Sequence, residues 1–252
     1  MNQMELAPQI SQPEEEIRPG TWWDFFLYLF GGFGLYVLVS RGFSLIIQEI
    51  NFALKVVVIL VNVGIIGGSA YVFGIRRKKI SWRQMGMFPS RLTLPLALGA
   101  VLLTFVLLPV RGVVGMVVQA LVEGGWESLE ARQSLISAGG LTWYSFLVTL
   151  VGVGFLAPVA EEMYFRGLFY NWFRQRLNVF WSVLISSTFF ALGHIDSAGV
   201  LASAWVMGLA LALVYEQTKT MWAPILMHIV TNTFAVLLTF LLSYLFQLYE
   251  VF

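Results

Sequence analysis

Apolar runs of about twenty residues, separated by short polar stretches, make up most of the chain from residue 22 onward. A helix that crosses a bilayer needs about 20 mostly apolar residues. The runs place spans at Trp22–Ser40, Phe52–Ile75, Leu92–Val110, Leu141–Tyr164, Val179–Ile195, Ala198–Tyr215 and Met221–Phe246. The third continues to Val122 beyond Pro109 and Arg111, so the count is seven, or eight if that point splits it. The expected fold is all-α, a polytopic membrane helix bundle, with residues 21–252 as one integral-membrane domain. The linker "EGGWESLEARQSLISAGG" reads as an outer loop carrying a short amphipathic helix. Gly64 and Gly68 form a GxxxG suited to close packing inside the bundle. There is no internal repeat of the kind that builds two-halved transporters.

The first twenty residues, "MNQMELAPQISQPEEEIRPG", are polar, acidic and proline-bearing. A secretory signal would open on a basic region followed by an apolar core, so residues 1–20 read as an uncleaved, disordered cytoplasmic tail. Composition agrees with the membrane reading: 58% of residues are hydrophobic and 12% charged, against about 25% charged in soluble domains. A net charge of +1 gives no polyanion signal, and no nucleic-acid partner is expected. The absence of cysteine excludes disulfides, thiolate metal sites and cysteine nucleophiles. Orientation follows the basic residues. The run "RRKK" at Arg76–Lys79 marks the loop after the second span as cytoplasmic, which puts the N-terminus and eleven of the fifteen basic residues inside.

Ionisable side chains inside spans are rare and point to function. The chain's only two histidines, His194 and His228, both sit in apolar segments, and Glu161, Glu162 and Asn232 join them. Glu162 and Arg166 are spaced i,i+4 with the acid first, the favourable order for a helical pair. That leaves Glu161 projecting elsewhere. His228 and Asn232 share a face, and Phe190 stands one turn before His194. A hairpin turning near Asn178 puts Glu161 seventeen residues before the turn and His194 sixteen after it, both roughly 25 Å away. His228 lies roughly 12 Å inside the last span. The three helices can thus bring Glu161, His194, His228 and Asn232 to one level. Pro158 and Pro224 each precede a site residue by four and can open the backbone there.

Taken singly, each feature has an ordinary explanation. A membrane histidine or asparagine is usually an interhelical hydrogen-bond partner, and a Glu–Arg pair a structural clamp. Convergence of both histidines with the EE pair favours a site. A carboxylate in apolar surroundings is a stronger base than in water, suited to activating a water molecule. His228 and Asn232 could donate to an oxyanion. Alternatively, His194, His228 and Glu161 could hold a metal such as zinc. Both routes lead to hydrolysis of a peptide bond. The sequence contains no HExxH, no GxSxG and no paired intramembrane aspartates.

Three motifs resemble a known family: "EEMYFR" (Glu161–Arg166) as EExxxR, "FALGH" (Phe190–His194) as FxxxH, and "HIVTN" (His228–Asn232) as HxxxN. Together and in this order they resemble the CPBP family of CAAX-processing and bacteriocin-processing intramembrane endopeptidases, also called Abi. The resemblance covers about residues 141–240. It implies that Glu161 and His194 activate water, that His228 and Asn232 support the oxyanion, and that Glu162 and Arg166 hold the geometry. It also implies a peptide or membrane-associated, lipidated protein substrate. The family carries the metalloprotease label, while a metal-independent glutamate mechanism has been argued for it. The scarcity of ligands here favours the second. The rival expectations are a non-catalytic immunity or scaffold protein and a small proton-coupled transporter.

Overall fold

The computed structural model describes residues 18–46, 51–87, 92–125, 138 and 140–249. Every regular element among them is helical. In chain order these are α1 (22–46), α2 (Phe52–Arg76), α3 (Leu94–Val122), α4 (Trp143–Arg174), α5 (Val179–Leu192), α6 (Ala198–Thr218) and α7 (Trp222–Tyr249). All except α5 are long and apolar enough to cross a membrane. Most of the expected tail and the amphipathic helix of the outer loop fall outside the described residues.

Two boundaries differ from the hydropathy reading. α3 runs unbroken through Pro109, which removes the eight-span alternative. A helix-interior proline costs one backbone hydrogen bond, and the other turns of this 29-residue helix keep theirs. α5 ends at Leu192, three residues before the apolar run does, because Gly193 caps it by donating to the Phe189 and Phe190 carbonyls. Its 14 residues rise about 21 Å, less than a hydrocarbon layer of about 30 Å. α5 ends in a turn, 193–196, that carries His194.

The start of α1 is tied to the end of α2. Thr21 and Asp24 form a reciprocal cap, and the buried Asp24 carboxylate also pairs with Arg77 at 2.9 Å and Lys79 at 3.0 Å. Four stretches among the described residues are π-helical: Leu27–Gly34, Ala70–Arg76, Leu150–Leu156 and Met163–Tyr170. Such widened turns are uncommon and recur at functional sites.

In the first of them, Gly32 admits the Tyr164 ring of α4, whose hydroxyl donates to the Tyr28 carbonyl. A Cβ at Gly32 would lie 2.8 Å from two ring carbons. Gly32→Ala is therefore expected to destabilise the protein by about 1–3 kcal/mol, read as a lower unfolding midpoint in detergent. Gly64→Ala is the control, since nothing lies within 4 Å of a Cβ there. Gly64 and Gly68 are in fact exposed, so the GxxxG does not pack inside the bundle. The buried face of α2 runs instead through Ile66 and Ser69, and Gly67 between the two glycines meets the Ala160 side chain at 3.3 Å.

Candidate active site

The EE pair lies on α4 at the end of a short α-helical stretch, Ala157–Glu162, with π-helical turns on both sides. Pro158 lies at the junction between that stretch and the π-helical turns before it. The two glutamates point to different surroundings. Glu162 is completely buried and Arg166 is 1% exposed, and they pair at 2.8 Å. Arg166 also donates to the Gly208 carbonyl of α6 at 3.0 Å and lies over the Phe190 ring of α5, 4.6 Å from its centroid. One guanidinium thus joins three helices.

Glu162 has a second partner. His228 Nδ1 lies 2.8 Å from the same Oε1 that Arg166 holds. Arg166 donates to that oxygen as well, so the carboxylate accepts from both and Nδ1 carries the hydrogen. The other ring nitrogen, Nε2, then faces Glu161 Oε2 at 3.7 Å. His194 is fixed in the same way by a different acceptor. It sits in the turn after α5, and its Nδ1 lies 2.9 Å from the Phe190 carbonyl. A carbonyl can only accept, so Nδ1 again bears the hydrogen and Nε2 faces Glu161 Oε2, at 3.8 Å.

Glu161 Oε2 is therefore flanked by two imidazole Nε2 atoms, both beyond direct hydrogen-bond distance. It is buried and accepts no hydrogen bond, as is the outer oxygen of Glu162. The Glu161 and His194 side chains remain 14% and 18% exposed, while His228 is buried. The Phe190 ring stands beside both histidines, at 4.8 Å from the His194 ring and 5.5 Å from that of His228.

The sequence-predicted residues Glu161, Glu162, Arg166, Phe190, His194 and His228 thus come together. Asn232 is engaged elsewhere: its amide donates to the Val153 carbonyl at 3.0 Å, in the π-helical stretch Leu150–Leu156 of α4. Sequence reasoning missed four partners: the Glu162–His228 bond, the carbonyls of Gly208 and Val153, and α1. From α1, Arg41 donates to the Ile195 carbonyl and Tyr36 reaches the Gly193 carbonyl at 3.5 Å, both on the turn that carries His194. The isolated Arg41 at the end of an apolar run was the available signal. Among the described residues, no group of three or more His, Cys, Asp or Glu side chains is arranged to hold a metal ion.

Residues 143–234 match the family model described as Type II CAAX prenyl endopeptidase Rce1-like. That match covers 92 of the chain's 252 residues, the segment that carries the three motifs. A curated relative is "Putative membrane peptidase YdiL" of Bacillus subtilis (strain 168), 35% identical over 83 residues. That match covers 33% of this chain and 34% of the relative, so it spans about a third of each. No solved structure matches the chain. All seven residues of the three CPBP motifs named above lie inside the family match, whereas α1, α2 and α3 lie outside it. With six long apolar helices among the described residues, this is an integral, multi-pass membrane protein.

Proposed function

We propose that the protein is an intramembrane endopeptidase in which Glu161 is the general base. The observation that carries this reading is the placement of Glu161 Oε2 between His194 Nε2 and His228 Nε2, at 3.8 and 3.7 Å. Two acceptors at that separation suit one water molecule, which can donate to both from about 2.8 Å. Water held between Glu161 and His194 gives its proton to Glu161 as its oxygen attacks the carbonyl carbon of the substrate. His228 is the next group within reach of that proton. Glu162 at Nδ1 supports the imidazolium, and the protonated Nε2 is then a donor for the oxyanion and a proton source for the leaving amine. Asn232 contributes from one turn further along α7, its amide group oriented by Val153. Atoms balance: water supplies hydroxide to the acyl carbon and a proton to the amine.

His228 is six residues into α7, about 9 Å from its start. With the Arg76–Lys79 end of α2 on the cytoplasmic side and the N-terminus inside, the site works near the cytoplasmic face. The substrate is a membrane-associated polypeptide, and a prenylated C-terminal segment is the finer expectation. The mechanism uses no metal. Peptide cleavage by the purified protein in detergent is expected to survive a strong chelator with less than a twofold change. Activity lost on chelation and restored by zinc would instead make His194, His228 and Glu161 ligands. Failure to cleave any membrane-anchored peptide, with the immunity or transport phenotype intact in Glu161→Gln, would favour a non-catalytic role.

A further inference from the structure

His194 differs from its neighbours at the site in what carries it. Glu161, Glu162 and Arg166 stand on α4, Phe190 on α5 and His228 on α7, whereas His194 stands in the turn that follows α5. α5 holds the near side of this turn: the Gly193 N–H closes the helix, and the His194 N–H donates to the Ala191 carbonyl at 2.8 Å. Carbonyls beyond a helix end have no further turn to pair with, and inside a bilayer no water replaces it. The two carbonyls that flank His194 are met instead by α1. Arg41 donates to the Ile195 carbonyl, and the Tyr36 hydroxyl lies 3.5 Å from that of Gly193.

α1 also packs on the same turn. A Cβ at Gly193 would lie 3.6 Å from the Tyr36 ring and 3.7 Å from the Phe33 ring, so both rings bear on the residue just before His194. Phe33 continues to Phe165 of α4 and Phe189 of α5, at ring separations of 6.2 and 5.9 Å. α1 is itself anchored beside Arg41, where the Ser40 hydroxyl donates to Asn62 of α2 at 2.8 Å. An arginine that only marked the membrane surface would send its guanidinium to water. Arg41 sends it to a backbone carbonyl next to a site residue. The tolerance there is narrow. One water must reach both Glu161 Oε2 and His194 Nε2, which lie 3.8 Å apart, and a displacement of about 1 Å can cost about 100-fold in rate. We propose that Arg41 and Tyr36 are positioning residues for His194, which makes α1, outside the family match, part of the catalytic apparatus. This rests on the reading of Glu161 and His194 as the water-activating pair.

The test is peptide cleavage by the full chain in detergent, read together with the state of its imidazoles. Arg41→Met keeps an apolar stem and removes the donor. It should lower kcat about 10- to 100-fold and leave KM within about threefold. Arg41→Lys guards against misfolding, because it keeps a cation and a donor, and it should fall between Arg41→Met and wild type. Tyr36→Phe keeps the ring against Gly193 and loses only the hydroxyl, so kcat should fall about threefold. Leu38→Ala, on the exposed face of α1, should change nothing.

Two readouts separate positioning from mere support of the fold. In a His194→Ala background, Arg41→Met should change the residual kcat by less than about twofold, since residues that act as a unit are not additive. The chain has two histidines, so NMR of histidine-labelled protein gives two imidazole signals, assigned with His194→Ala. Arg41→Met should shift or broaden the signal of His194 and leave that of His228 in place. An unmoved His194 signal, or an equal loss of kcat with and without His194, overturns the inference. The reading beneath it fails separately. His194→Ala cleaving at the wild-type rate would remove the water-activating pair itself, whereas an impaired His194→Ala beside a fully active Arg41→Met would remove only the positioning role.

Discussion

Replacing Glu161 with glutamine is expected to lower turnover by about 10²–10⁴-fold, the range that a positioned general base supplies, with the fold intact. The substitution keeps shape and volume and removes only the ability to take a proton. Among the described residues Glu161 Oε2 accepts no hydrogen bond, so the substitution breaks none there. The new amide N–H groups would face the Nε2 lone pairs of His194 and His228, so the unfolding midpoint should hold or rise slightly. The loss should fall on kcat and leave KM within about threefold, because the base acts in the transition state and not in binding. Near-normal turnover in this variant would remove Glu161 from the mechanism. His194→Ala separates the two partners of the water. It should reduce kcat while sparing the buried Glu162–Arg166 pair.

The pattern of apolar runs made the bundle legible because membrane helices must bury their backbone polar groups internally. It could not show where α5 stops. Hydropathy continues to Ile195, but a single glycine at 193 decides the end. That shift of three residues puts His194 in a turn, where its Nδ1 meets the Phe190 carbonyl of its own chain end. The site was legible to the extent that i,i+4 spacing governs it, as with Glu162 and Arg166. What lay hidden was the contact between elements 66 residues apart, where His228 shares the carboxylate already given to Arg166. Asn232 shows a second limit. Its partner, Val153, belongs to a π-helical stretch, and widened turns leave no mark in hydropathy because their residues are as apolar as those of α-helices. The GxxxG at Gly64 was misleading for a related reason. Small residues permit close packing, but only the buried face of α2 decides which glycine is used.

Arg166 carries the second large expected effect, and here stability and chemistry move together. Its guanidinium is the charge partner of a fully buried carboxylate and touches α5 and α6 as well. Arg166→Met fills a similar volume but strands Glu162, so a destabilisation of about 3–5 kcal/mol is expected, the usual consequence of unpairing a buried charge. The remaining partner of Glu162 is His228, and an unneutralised carboxylate would draw a permanent proton onto that ring. His228 could then no longer receive the proton that passes from water through Glu161, so the folded fraction should also turn over more slowly. Glu162→Gln/Arg166→Met distinguishes the two effects. Without either charge, much of the stability should return, since a buried pair replaced by uncharged groups is often tolerated. Activity should not return with it, because His228 has lost the carboxylate that orients Nδ1 and supports its imidazolium. Arg166→Lys keeps the charge but not the planar fork that reaches Glu162 and Gly208 together, and should fall between. The decisive comparison is unfolding midpoint against turnover across these three variants. If Arg166→Met costs less than about 1 kcal/mol, or if the double variant regains full activity, then Glu162 and Arg166 do not hold His228 for catalysis.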